Sequence, residues 1–134
     1  MYRPVQQHAL KETNLKRQLQ ARTRSGRTLW SVPYPQELND IPAIVARQMD
    51  AKDFAQMIVD HFDEMLEQSA RQPLVMGIAL HPYIVGQPYR LRHLRLALRH
   101  IDAAAARGGV WLATPGAICT HVAGLEGGDT AISA

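Results

Sequence analysis

Apolar positions along the chain switch between helical and strand spacing. From about Lys52 to Ala70, Phe54, Met57, Ile58, Phe62, Met65 and Leu66 recur at i, i+3, i+4, i+8, i+11 and i+12. That places them on one stripe of an amphipathic helix. Asp50 is its candidate N-cap, and Asp53 puts negative charge in the first turn, against the positive end of the helix dipole. A second stripe, Leu91, Leu94, Leu98 and Ile101, predicts a helix opened by Pro88 and ended by Gly108-Gly109. Ile41 to Arg47 reads as a short helix, with Asp40 as N-cap and Pro42 in the first turn. Thr114-Pro115 caps and opens a last helix, to about Val122.

Three segments between these helices read as strands. Thr28 to Tyr34 is rich in β-formers and runs into Pro33 and Pro35. Leu74-Val75-Met76-Gly77-Ile78-Ala79-Leu80 has no polar alternation, as in a parallel strand buried on both faces. Val110 to Ala113 is the third. Strand and helix in alternation imply right-handed crossovers and a parallel sheet, so the expected class is α/β, with about three parallel strands flanked by helices. Three such strands leave faces and edges uncovered, which implies a piece of something larger or a chain that pairs with a partner.

Composition sharpens this picture at the two ends. The chain has 15 basic and 12 acidic residues, but seven of the basic ones precede Thr28, against Glu12 alone. Residues 1–27 are therefore expected to be a basic extension, poorly ordered or helical, and residues 124–134 a flexible tail. The extension has Tyr2 as its sole aromatic and lacks the interleaved rings that stack on bases, so nucleic acid is not the favoured partner. The longest apolar run, Leu74 to Leu80, is far below the ~18 residues of a membrane span, and no apolar leader segment is visible at the N-terminus. Lone Cys119 excludes an internal disulfide and a multi-cysteine zinc site, and a reducing cytoplasm is the expected setting.

Ligands of parallel α/β folds bind beyond the C-terminal ends of the strands. That rule selects the loop after Tyr34, the segment from His81 to Arg90, and Thr114 to Gly116. His81 closes an apolar run, and histidine is a residue type able to give or take a proton, so it can exchange one with a substrate, or else it is a hydrogen-bonded structural histidine. Asn39 and Asp40 either orient a substrate group or cap a helix. Arg90 either anchors an anionic or carbonyl group or is a solvated helix residue. His93, His100 and His121 read as surface or packing groups, and Trp30 and Trp111 as core. No phosphate loop, nucleophile elbow or His-Glu-x-x-His is present, and no metal site is read from the spacing.

The segments Leu29-Trp30-Ser31-Val32-Pro33-Tyr34-Pro35-Gln36-Glu37-Leu38-Asn39-Asp40, Phe54 with His61-Phe62-Asp63, Val75 through His81-Pro82-Tyr83-Ile84-Val85-Gly86-Gln87-Pro88-Tyr89-Arg90, and Gly109-Val110-Trp111 together resemble polysaccharide deacetylases of the NodB-homology class. The likeness is to the C-terminal part of the allantoinase-like and peptidoglycan-deacetylase-like branch, over about Thr23 to Val122. It implies that residues 28–123 are part of a distorted (β/α) barrel. It also implies hydrolysis of a non-peptide C–N amide bond, in an N-acylated sugar or small amide, within carbohydrate metabolism. The family often uses a divalent metal such as zinc.

Carried onto this chain, the resemblance makes His81 the catalytic residue, a general acid toward the leaving nitrogen or its orienting partner. Asn39 and Asp40 line the substrate cleft, with Arg90 as a further substrate-binding candidate. The family's early Asp-Asp pair and its His-x-x-x-His pair have no counterpart, so no metal ligand and no cofactor are assigned to this chain. The expectation is a chain not competent alone, with homo-oligomerisation through exposed apolar patches and strand edges. The alternatives are a non-catalytic binding or assembly module that pairs with another chain, and a basic-arm nucleic-acid binder.

Overall fold

The computed structural model describes residues 19–125. The basic extension up to residue 18 and the tail from 126 lie outside the described residues. The described residues divide into two compact units, one of residues 33–68 and 76–112, the other of residues 19–32, 69–75 and 113–125.

In the second of these units, β1 (Gln20–Arg22) and β2 (Thr28–Trp30) pair antiparallel, with Ala21 opposite Leu29. Their connection is tied by Thr23 N–H to Arg27 O at 2.9 Å and Gly26 N–H to Thr23 O at 2.9 Å. Gly26 sits at φ +81°, a left-handed conformation that favours glycine. The same unit holds α5 (Pro115–Gly124), where the Thr114 hydroxyl accepts the Ala117 N–H at 3.2 Å, the cap expected from the sequence.

The other unit contains α1 (Ile41–Ala46), α2 (Ala51–Gln68), α3 (Pro82–Val85) and α4 (Pro88–Ala106). Every one of these helices except α2 opens with proline in its first turn, where a missing N–H costs nothing. Helix α1 is wound with a wide i→i−5 bond, Arg47 N–H to Pro42 O at 3.0 Å. Helices α2 and α4 lie side by side and run in the same direction. Asp63 meets His100 far along both helices, and Asp53 shares a cleft with Arg90 at their starts.

The core joins Phe54, Ile58 and Phe62 of α2 to Leu94, Ala97, Ile101 and Ala104 of α4, with Leu38, Ile44, Ile84 and Val85 beside them. The α2 stripe is the one read from the sequence. On α4 the buried face is turned, since Leu98 is exposed while Ala97 and Ala104 are buried. Alanines there, with Ala55 of α2, permit close helix approach.

The expected parallel α/β barrel segment is not present. Among the described residues the two-stranded sheet is antiparallel, and most of the ordered backbone is helical. The segment 28–34 forms a strand only to Trp30, because Pro33 and Pro35 carry no N–H to continue a ladder. Leu74 to Leu80 reduces to one parallel bridge, Ala79 to Asn39, and most of the run stays half-buried. A parallel strand needs hydrogen-bonded neighbours and cover on both faces, and a segment with one neighbour at one position has neither. Residues 110–113 form no ladder, and Trp111 and Leu112 are exposed rather than core.

Truncating a central core ring tests this packing. Phe54→Ala is expected to lower unfolding free energy by about 3–5 kcal/mol in urea titration. Leu112→Ala, on an exposed side chain, should stay within about 0.5 kcal/mol of wild type.

Candidate functional site

Two extended segments, 38–40 and 79–81, meet at the Asn39–Ala79 bridge. Ala79 N–H donates to Leu38 O at 2.9 Å, and Asp40 N–H donates to Ala79 O at 3.2 Å. A Cβ on Gly77 would come within 3.0 Å of the Pro33 carbonyl oxygen, so glycine there permits the close approach of the two segments. This pairing delivers Asp40 and His81 to each other across 41 positions of sequence.

Asp40 is fully buried, and both of its carboxylate oxygens are used on His81. Oδ2 accepts the His81 backbone N–H at 2.8 Å, and Oδ1 lies 2.6 Å from His81 Nδ1. A carboxylate only accepts, so Nδ1 carries the proton in this contact. The other ring nitrogen, Nε2, then lies on the edge turned away from Asp40. The imidazole is 28% exposed against 0% for Asp40, so the ring is partly open to solvent while its partner is not. The Tyr83 ring packs edge-on against the imidazole, with centroids 5.7 Å apart.

The sequence offered Asp40 as a helix cap, and it does occupy the N-cap position of α1. Its side chain makes no cap bond. Asn39 does that work instead, its Oδ1 accepting the Ile41 N–H at 3.0 Å. The division frees the Asp40 carboxylate for His81. His81 in turn precedes α3, with its carbonyl accepting from Ile84 and Val85 N–H. Helix α3 opens on Pro82 after a polar residue, the same signal that marks α4 and α5.

Arg90 is not brought to this pair. Its guanidinium donates to Ile84 O at 3.3 Å and lies over the Tyr89 ring, 5.1 Å from the centroid. It lines a separate open cleft of about 460 Å³ with Ile44, Met49, Lys52, Asp53 and His93, and neither Asp40 nor His81 borders that cleft. His100, expected as a surface or packing group, holds Asp63 through Nε2 at 2.6 Å and stands edge-on to Phe62.

The divalent metal implied by the resemblance does not fit the side chains at this pair. Both Asp40 oxygens are committed to His81, which leaves Nε2 as the one donor on offer. Among the described residues no three His, Cys, Asp or Glu side chains gather into a metal-binding group. No helix among the described residues is long and apolar enough to cross a membrane. Comparison of the chain with protein-family models, with curated proteins and with solved structures found no match.

The Asp40–His81 contact has a direct spectroscopic signature. At neutral pH, imidazole ¹⁵N shifts of His81 should report the proton on Nδ1. Asp40→Ala should release that preference and lower stability by about 2–3 kcal/mol, because the His81 backbone N–H loses its acceptor. Unchanged ring shifts in the variant would show that Asp40 does not set the tautomer.

Proposed function

We propose that this chain supplies the proton-donating side of a site that hydrolyses a non-peptide carbon–nitrogen bond, in an N-acylated sugar or a small amide. The observation that carries the reading is the buried Asp40 carboxylate holding a partly exposed His81 by both its ring and its backbone, with Nε2 on the edge turned away from the carboxylate. The bond type and substrate class come from the resemblance of Leu29–Asp40 and Val75–Arg90 to polysaccharide deacetylases, which assigns the same histidine a role toward the leaving nitrogen.

Hydrolysis of an amide has two demands. Water must be deprotonated as it attacks the carbonyl, and the amine must be protonated as the C–N bond breaks. Asp40 fixes the imidazole plane and holds the proton on Nδ1. Protonated, that ring donates from Nε2 to the departing nitrogen and returns to the neutral form with the proton still on Nδ1. Asn39 and Asp40 then act as positioning residues, one by shaping the backbone turn and the other by aiming the ring. Arg90 has no part at this pair.

The first demand has no answering group beside His81 among the described residues. We therefore read the chain as needing its base from another polypeptide, and as inactive toward water alone. The cytoplasm is the setting that accords with the lone cysteine.

A nucleophile that needs no base separates the two demands. With hydroxylamine in place of water and N-acetylglucosamine as substrate, the full chain should accelerate acetohydroxamate formation. His81→Ala should remove that acceleration, a loss of about 100-fold or more, and Asp40→Asn should reduce it strongly. Acceleration that survives His81→Ala, or none in the wild-type chain, would overturn the assignment.

A further inference from the structure

Helices α2 and α4 carry opposite charge on their exposed sides. Helix α2 has five carboxylates against Lys52, whereas α4 has four arginines against Asp102. Arg92, Arg95 and Arg99 are exposed at i, i+3 and i+7, with exposed Leu96 among them. The described ion pairs are Asp40–His81 and Asp63–His100, so these three arginines have no acidic partner among the described residues. Like charges three and four positions apart on a helix repel, so the stripe weakens α4 unless something anionic covers it.

On α2, Asp60, Glu64 and Glu67 are exposed at i, i+4 and i+7. Gln56 Nε2 donates to Asp60 at 2.7 Å, and Gln68 Nε2 donates to Glu64 at 2.6 Å. These amides order the carboxylates without neutralising them. The two spacings are mirror images. Read backwards, 99, 95 and 92 step by four and then three, as do 60, 64 and 67 read forwards. At 1.5 Å rise per residue both stripes span about 10 Å. An antiparallel pair of helices would therefore set Arg99 on Asp60, Arg95 on Glu64 and Arg92 on Glu67. Antiparallel packing also opposes the helix dipoles favourably.

We infer that the chain self-associates, with the acidic stripe of α2 in one copy seated antiparallel on the arginine stripe of α4 in another. A second copy is the partner that satisfies both stripes. An anionic polymer would cover the arginines and leave the acids of α2 uncovered. The contact uses neither Asp40 nor His81 and does not depend on the proposed chemistry. Surface ion pairs are individually weak, so the association is modest, salt-sensitive, and favoured at high micromolar protein.

Charge reversal in two separate full-length variants tests it by sedimentation. One carries Arg92→Glu, Arg95→Glu and Arg99→Glu; the other carries Asp60→Lys, Glu64→Lys and Glu67→Lys. Wild type should associate at 50 mM salt and weaken about tenfold or more at 0.5 M. Each variant alone should be monomeric, with helical circular dichroism retained, and an equimolar mixture should regain association. A monomeric wild type at low salt, variants that associate as wild type does, or a mixture that stays monomeric would overturn the inference. So would a monomeric wild type that binds heparin through the three arginines, which would assign the stripe to an anionic polymer.

Discussion

A carboxylate with no exposed surface holds the candidate site together. Asp40 places its two oxygens on two N–H groups of one residue, His81, and so joins the segment before α1 to the segment before α3. Removing a carboxylate from water is costly unless its lone pairs are met by donors. Here the donors are a backbone N–H, whose place is set by the Asn39–Ala79 bridge, and a ring N–H that only His81 supplies. The bridge, the close passage at Gly77 and the Asn39 cap each serve this arrangement. The result is a partly exposed histidine held through Nδ1 and its own backbone N–H.

The helices do a different job. Phe54, Ile58 and Phe62 pack with Leu94, Ala97, Ile101 and Ala104, and this apolar seam is the stable support on which the short segments rest. Apolar burial is insensitive to direction, so it can hold α2 and α4 together without specifying what lies on their outer faces. Those faces are left to charge, with carboxylates on one helix and guanidinium groups on the other. The Asp40–His81 pairing and the charge on the helices are thus two separate features of the same unit.

Much of the helical content was legible because it is periodic. The stripe from Phe54 to Leu66 places α2 within two residues of its observed ends, and Pro88 and Thr114-Pro115 mark where α4 and α5 begin. The strands were not legible in the same way. An unbroken apolar run such as Leu74 to Leu80 states that its side chains avoid water, but not which backbone will accept its hydrogen bonds. Without neighbouring strands the run stays extended and half-buried, and the expected parallel sheet does not form. The α4 stripe was misplaced for a related reason. Alanine carries little hydrophobic signal, yet Ala97 and Ala104 are buried because their size lets α2 approach.

The residues of the candidate site were visible as types and invisible as a pair. Sequence marked His81, Asn39 and Asp40 from their places after apolar or proline-bounded segments, and local rules made Asp40 a helix cap. Periodicity, proline placement and charge are properties of neighbours along the chain, so sequence by itself determined α2 with its amphipathic face, the starts of α4 and α5, and the opposite charge of α2 and α4. Which oxygen meets which nitrogen across 41 residues depends on backbone paths converging in space. Only the tertiary structure decided that Asn39 caps α1, that Asp40 turns to His81, and that Arg90 faces a different cleft, because each choice is a competition between partners that no local pattern ranks.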